Sequence, residues 1–265
     1  MRYLVFGDVH GNLQALDAVL SAGDRRRVDA HLFVGDLVGY GPNPLECIER
    51  VSALHEKERL AWVAGNHDLV ARGERLPTGY GKEAVETLRW TSELLNKQPA
   101  ALAFLRKGQP MAKVSGGIWL THDSLAMPGS GTYHRATQNA EIELGHLAKR
   151  GGKVCFYGHT HTLRAELLMR GDAVMLAPMA AHPGDDLDPA PLWVGAEERA
   201  WIGTGSAGFP TKKKGAAEYL VLDDTDWSVE KYTVTFSREE TRKRVRETMK
   251  SKCPAAVVDS IVQWL

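Results

Sequence analysis

Short apolar runs and amphipathic stretches alternate along the first third of the chain. The runs at residues 2–6, 31–34 and 60–64 are typical of buried strands. Between them, the stretches at 13–20 and 45–57 are predicted to be helices, since Asn12 and Pro44 are suited to begin them. This alternation predicts βαβ units and a largely parallel sheet.

The remainder of the chain is helical first and then rich in predicted strands. Helices are expected at 82–97, 100–107, 135–149 and 238–250, and a short one after Pro254. Strands are expected at 111–114, 117–121, 153–157, 164–170, 174–177, 201–204, 218–222 and 229–236. The Pro-rich stretch 180–191 is predicted to be a loop or an insertion. Because no repeat and no long linker divides the chain, a single α/β domain spanning residues 1–265 is predicted.

Composition excludes several classes of protein. Lys and Arg total 33, as do Asp and Glu, so a strongly basic nucleic-acid binder is disfavoured, while a local patch leaves a nucleic-acid partner open. The three cysteines are far apart and odd in number, which favours a reducing, cytoplasmic setting over a disulfide framework. No long apolar segment follows residue 1, and no run approaches the roughly 18–20 apolar residues of a membrane span, so neither a signal peptide nor membrane association is expected.

Five predicted strands each place Asp, Asn or His at their carboxyl ends. These side chains are Asp8 and His10, Asp36, Asn66 and His67, His122, and His159 and His161. In α/β sheets this edge binds ligands, and in four of the five cases a glycine precedes and permits a sharp turn. Carboxylate oxygen, amide oxygen and imidazole nitrogen are ligands of divalent metals, so a metal site is predicted at this edge.

The number of candidate ligands exceeds the need of one ion. A tetrahedral site takes about four, so the surplus predicts two ions with one bridging carboxylate. Asp8 and His10, like His159 and His161, are two residues apart, which in extended backbone would point both side chains the same way. Taken singly, each residue also fits a turn or a helix cap; the five motifs together favour the metal site.

The motifs Gly7-Asp8-Val9-His10-Gly11-Asn12, Gly35-Asp36-Leu37-Val38-Gly39, Gly65-Asn66-His67-Asp68, His122 and Gly158-His159-Thr160-His161 resemble those of the calcineurin-like metallophosphoesterase superfamily. More narrowly, they resemble its small bacterial GDxHGN branch, which includes phosphodiesterases and dinucleoside polyphosphate hydrolases. The likeness is close from residue 1 to about residue 170. It implies a four-layer αββα sandwich of two mixed sheets flanked by helices.

The resemblance also implies roles for individual residues. One ion would take Asp8, His10, Asp36 and His161, and the second would take Asp36, Asn66, His122 and His159. Asp36 would bridge the ions, and catalytic His67 would protonate the leaving oxygen while a hydroxide held between the ions attacks phosphorus. Mixed oxygen and nitrogen ligands suit Mn, Fe, Co, Ni or Zn, with Mn favoured.

Departures from the superfamily pattern bear on the substrate. Its protein phosphatases carry Asp-Arg in the second motif, where this chain has Gly39-Tyr40, which argues against a phosphoprotein substrate. The orienting partner of His67 is therefore open; Asp68 is adjacent but could point away. Asp123, after the fourth-motif histidine, either supports a ligand histidine or caps the next turn.

The predicted substrate contacts are Tyr40, which offers a ring face, and Tyr133 and Arg135, which could stack on a base and bind a phosphate; a surface loop is the alternative for the last two. The lysines at 212–214 could attract a polyanion or form a solvated hairpin.

The predicted function is that of a phosphodiesterase or a nucleotide phosphoanhydride hydrolase. Its substrate would be a phosphate-containing small molecule such as a nucleotide. The alternatives are a phosphomonoesterase or protein phosphatase and a catalytically silent scaffold, which the intact ligand set disfavours. The oligomeric state is open.

Overall fold

The computed structural model describes residues 1–74, 79–131, 137–161, 166–170, 173–177, 191–209 and 215–265, with the backbone alone at 137–139, 166–169 and 173–177. Several sequence predictions lie outside the described residues. These are the contacts of Tyr133 and Arg135, the lysines at 212–214, and most of the 180–191 insertion.

Strands and helices follow the predicted order. The strands are β1 (Arg2–Phe6), β2 (Ala30–Phe33), β3 (Leu60–Trp62), β4 (Met111–Lys113), β5 (Ile118–Thr121), β6 (Val154–Tyr157), β7 (Glu166–Arg170), β8 (Ala173–Ala177), β9 (Leu192–Trp193), β10 (Glu198–Gly203), β11 (Ala216–Asp223) and β12 (Ser228–Thr235). The helices are α1 (Leu13–Arg25), α2 (Pro44–Glu56), α3 (Asn66–Ala71), α4 (Lys82–Leu95), α5 (Pro99–Lys107), α6 (Thr137–Lys149), α7 (Arg238–Met249) and α8 (Ala255–Trp264). Of these, α3 and β9 were not predicted.

Local capping explains where two helices begin. Asn12 Oδ1 accepts a hydrogen bond from the Ala15 amide at 3.2 Å, at the start of α1. Ser237 Oγ accepts one from the Glu240 amide at 3.3 Å, at the start of α7. Both side chains satisfy backbone donors that the first turn of a helix leaves without an internal partner.

The strands form two six-stranded sheets that both mix parallel and antiparallel pairs. The first has the order β3-β2-β1-β11-β12-β9, and the second has the order β4-β5-β6-β10-β7-β8. In the first sheet β1, β2 and β3 are parallel, and in the second β5, β6 and β10 are parallel. Each sheet therefore presents three neighbouring carboxyl ends at one edge.

Alternation along the strands sends side chains into two different cores. Tyr3 and Val5 of β1 pack toward the second sheet, where they meet residues such as Phe156 and Ile202. Leu4 and Phe6 face the opposite way, into the core shared with the helices that cover the first sheet. Helix α6 covers the outer face of the second sheet through a separate cluster that includes Leu144, Leu147 and Trp201.

The predicted α/β fold of two mixed sheets flanked by helices is confirmed, with the two sheets face to face and helices outside both. A further apolar cluster joins the C-terminal helices α7 and α8 to α4. No helix in the described part of the chain is both long and apolar enough to cross a membrane.

Candidate metal centre and active site

The carboxyl ends of the two parallel strand triplets meet, and a first group of metal-type ligands lies there. Asp8 and His10 follow β1, Asp36 follows β2, and His161 follows β6. Each of these four offers a ligand atom within 4.8 Å of the other three. His161 Nε2 lies 3.2 Å from Asp8 Oδ1, and His10 Nε2 lies 3.6 Å from Asp36 Oδ2.

A second group shares Asp36 with the first. The ligand atoms of Asp36, His122 and His159 also lie within 4.8 Å of one another. His122 Nε2 is 3.2 Å from Asp36 Oδ2 and 3.0 Å from Asn66 Oδ1, so the amide oxygen joins this group. All eight residues that the sequence motifs singled out as candidate ligands or catalytic groups, His67 included, are thus brought to one edge.

The backbone at this edge is left-handed, whereas the prediction for the two residue pairs requires extended backbone. The φ angle lies between 50° and 66° at Asp8, His10, Asp36, Tyr40, His159 and His161. Such values are uncommon outside glycine and cost of order 1–3 kcal/mol each. Strain concentrated at these six side chains indicates that the fold holds them in place for a purpose other than stability.

Hydrogen bonds to carbonyl groups set the tautomers of three histidines. His10 Nδ1 lies 3.2 Å from the Val38 carbonyl oxygen, and His122 Nδ1 lies 2.8 Å from that of Val34. His159 Nε2 lies 3.0 Å from the Gly131 carbonyl oxygen. A carbonyl oxygen only accepts, so the facing nitrogen carries a proton, and the other nitrogen, once deprotonated, has the lone pair that can bind an ion.

The resulting arrangement of lone pairs fits divalent cations. His10 Nε2 and His161 Nε2 are 2.8 Å apart, and His122 Nε2 and Asn66 Oδ1 are 3.0 Å apart. Acceptor atoms this close repel unless a proton or a cation lies among them. The donor set of carboxylate, amide oxygen and imidazole matches the ligands of first-row transition metals, so the residues fit the predicted group.

Electrostatics of the buried cluster point the same way. Burial would lower the pKa of His122, but the carboxylates of Asp36, Asp8 and Asp123 together outweigh burial and raise the pKa to about 10. Burial lowers the pKa of His10 well below its ordinary value and lowers the pKa of His159 to about 4. The carboxylates of Asp8 and Asp36 therefore favour positive charge in the protein interior, and a bound divalent cation would supply that charge in place of a proton on His122.

Asp36 is held by the third motif as well as by its own strand. Its Oδ1 accepts a hydrogen bond from the His67 amide at 2.9 Å. The Gly65 backbone packs so closely on this carboxylate that a Cβ there would lie 2.1 Å from Oδ1. A glycine before Asn66 is thus required by close approach, and it lets α3 begin directly over Asp36.

His67 lies beside the ligand groups in an aromatic environment. Its ring centroid is 4.7 Å from those of His10 and Tyr40, and only 5% of the residue is exposed. Burial lowers its pKa. Its Nδ1 has no hydrogen-bond partner among the described residues, and a Cβ on Gly39 would lie 2.3 Å from that nitrogen.

The sequence left the roles of Asp68 and Asp123 open, and in the structure both carboxylates hold loops by accepting hydrogen bonds from backbone amides. Asp68 points away from His67 and accepts hydrogen bonds from the amides of Leu37, Val38 and Gly65, at 2.9, 3.2 and 3.0 Å. It therefore ties the second motif to the third. Burial raises its pKa to about 7.

Asp123 holds the loop after β5. Its Oδ1 accepts from the amides of Ser124 and Gly129 at 2.8 and 3.0 Å, and its Oδ2 accepts from Gly131 at 2.6 Å. The turn-capping alternative is the one that these contacts match. Since the Gly131 carbonyl faces His159 Nε2, the loop that Asp123 holds also contacts a candidate ligand.

A cavity of about 280 Å³ opens beside His67 and His159. Tyr40 and Tyr80 contribute its aromatic lining, and Ser130 and Gly131 line it from the loop that follows β5. The sequence reasoning singled out Tyr40 but missed Tyr80, whose hydroxyl accepts a hydrogen bond from Asn66 Nδ2. The one local signal was its position between two glycines, Gly79 and Gly81.

Comparison with known families decides the identity of this site. Residues 1–163, more than half of the chain, match the family model described as calcineurin-like phosphoesterase. The chain belongs to the calcineurin-like phosphoesterase family. The matched residues contain all five motifs, so this phosphoesterase is a metal-dependent hydrolase of phosphate esters.

Individual proteins are similar to this chain over its whole length or over part of it. The phosphoesterase is similar to the crystal structure of a metallophosphoesterase from Sphaerobacter thermophilus, with 29% identity and a TM-score of 0.76, over 100% of this chain and 99% of the other. An uncharacterized protein of Methanocaldococcus jannaschii is 25% identical over 256 residues, 94% of this chain and 93% of that protein. A symmetrical bis(5'-nucleosyl)-tetraphosphatase of Psychromonas ingrahamii is 39% identical over 70 residues, 26% of this chain and 25% of that protein.

Proposed function

We propose that this phosphoesterase is a cytoplasmic, dimetal-dependent hydrolase that cleaves phosphodiesters or nucleotide phosphoanhydrides, with Mn²⁺ as the favoured ion. The observation that carries the proposal is the pair of ligand groups that share Asp36. Two groups of this composition with one common carboxylate suit two ions held side by side, which is how two-metal hydrolases bind the attacking and leaving oxygens of a phosphoryl group.

In this proposal the first ion is held by Asp8, His10, Asp36 and His161, and the second by Asp36, Asn66, His122 and His159. When bound, the ions lower the pKa of water and neutralise charge that builds on the phosphoryl oxygens. The protein fixes the ligands beforehand, through the carbonyl contacts of His10 and His122 and the backbone amide that donates to Asp36.

His67 is proposed to donate a proton to the leaving oxygen. It lines the cavity and lies next to both ligand groups, so a leaving group that occupies the cavity would come within its reach. Tyr40 and Gly39 pack on its ring and restrict its orientation in place of a carboxylate partner. General acid catalysis of this kind typically contributes about 10²–10⁴-fold.

The lining of the cavity favours a phosphodiester or phosphoanhydride substrate over a phosphoprotein. None of its described lining residues is a lysine or an arginine, and two are tyrosines. A dianionic monoester gains most from a guanidinium, whereas an aromatic wall suits a nucleoside or an uncharged ester group. The local similarity to a dinucleoside tetraphosphatase over 70 residues supports the anhydride arm of the proposal.

A substrate panel tests the proposal. Bis(p-nitrophenyl) phosphate, diadenosine tetraphosphate and a phosphoserine peptide are compared at matched Mn²⁺, with the Asp36→Asn protein as the control for contaminating phosphatases. We expect kcat/KM to be higher for the diester or the dinucleotide than for the peptide. A phosphoserine peptide that exceeds both of the other substrates would overturn the substrate class.

A further inference from the structure

Tyr80 makes a contact that the proposed mechanism does not use. It lies between α3 and α4, half-buried, and its hydroxyl accepts a hydrogen bond from Asn66 Nδ2. On the other side of the same amide, Asn66 Oδ1 lies 3.0 Å from His122 Nε2. The amide is therefore clamped, with its NH₂ end toward Tyr80 and its oxygen toward the second ligand group.

The amide is the ligand that most needs such a clamp. Asp36 presents oxygen in either orientation, and His122 is fixed by its 2.8 Å contact to the Val34 carbonyl. An asparagine amide presents oxygen to an ion in one orientation and an NH₂ group, which repels a cation, in the other. Among the described residues, the hydrogen bonds of the Asn66 amide go to Tyr80 and His122.

The direction of the Tyr80 hydrogen bond also matters electronically. An amide N–H that donates to a hydroxyl pushes electron density toward the amide oxygen and makes it a better ligand. If the residue at position 66 were a carboxylate, the same hydroxyl would donate to it. It would then withdraw charge from the oxygens that bind the ion.

We propose that Tyr80 is a positioning residue for the second ion, because its hydroxyl holds and polarises the Asn66 amide with Oδ1 toward His122. The inference rests on the proposed dimetal function and names a residue that acts through a ligand. The Tyr80 ring also lines the cavity beside His67, with 5.7 Å between their ring centroids, so removal of the hydroxyl alone separates the two roles.

The test is titration of Mn²⁺ into metal-free full-length protein, by calorimetry and by electron paramagnetic resonance of the coupled ion pair. Wild type should bind two ions. Tyr80→Phe should bind one ion with unchanged affinity and the other about 10- to 100-fold more weakly, as is typical when the partner of a metal ligand is removed. The spectrum at limiting Mn²⁺ should shift from a coupled pair toward isolated ions.

Two comparisons make the result specific. Tyr3→Phe removes another tyrosine hydroxyl, one that donates to Asp224 Oδ2 at 3.2 Å at the amino end of β1, and should leave both affinities within about twofold. In an Asn66→Asp background, Tyr80→Phe should not weaken the second ion, because the hydroxyl no longer orients an amide. A general structural role of Tyr80 would weaken binding in both backgrounds.

The possible outcomes separate the role of Tyr80 from the dimetal function. Two ions with unchanged affinities in Tyr80→Phe would overturn the role of Tyr80 and leave the dimetal function standing. Equal loss in the wild-type and Asn66→Asp backgrounds would also overturn it. A wild-type protein that binds fewer than two ions would overturn the dimetal function together with this inference.

Discussion

The substitution Gly39→Ala adds one methyl group beside the His67 ring and so tests whether turnover depends on the position of that ring. A Cβ there would lie 2.3 Å from His67 Nδ1, whereas ordinary contact begins at 3.4 Å, so the imidazole must move by about 1 Å. A misplacement of ~1 Å can cost roughly 10²-fold in rate. We therefore expect Gly39→Ala to lower kcat about 100-fold while both ions stay bound, because the nearest atoms to the new methyl group all belong to His67.

The control is Gly73→Ala. Gly73 also has a positive φ, of 110° against 90° at Gly39, but a Cβ there would meet nothing within 4 Å. Both variants carry backbone strain of about 1–3 kcal/mol, and each kcal/mol lowers Tm by about 2–4 °C in a chain of this size. Steady-state kinetics, metal analysis and thermal melts on both proteins separate strain from misplacement. A kcat for Gly39→Ala equal to that of Gly73→Ala would refute the placement of His67.

Three further substitutions probe the site. Asp36→Asn should abolish turnover and weaken both ions, because a shared carboxylate loses charge at each; loss of only one ion in a calorimetric titration would argue against bridging. His67→Ala should keep both ions yet lower kcat about 10²–10⁴-fold, and metal loss measured by atomic absorption would show that the role is misassigned. Asp68→Ala should lower the free energy of unfolding in urea by at least ~3 kcal/mol, because three buried amides lose their acceptor, and a change under ~1 kcal/mol would contradict this.

The ends of the strands could be predicted because their signal is local. An apolar run, a glycine and then Asp36 or His159 report both the strand and the turn that follows it. Convergence of such ends then follows from parallel pairing, which brings carboxyl ends to one edge. The left-handed backbone of Asp8 and His10 could not be predicted, because residue spacing alone carries no φ information.

Side-chain contacts between loops could not be predicted from the sequence for a different reason. Tyr80 comes 14 residues after Asn66, and its contact depends on the path of the chain between α3 and α4. Asp68 is next to His67 and Asp123 is next to the candidate ligand His122, yet both carboxylates turn toward backbone amides of neighbouring loops. Adjacency in sequence does not report the direction of a side chain, whereas periodicity within a strand does.

The presence of two ions at the shared carboxylate is tested most directly by crystals grown with Mn²⁺ and an anomalous difference map collected at the Mn absorption edge. We predict two peaks about 3.5–4 Å apart on either side of Asp36, one among Asp8, His10 and His161 and the other among Asn66, His122 and His159. A single peak, or no peak at this edge of the sheets in metal-replete crystals, would contradict the dimetal assignment.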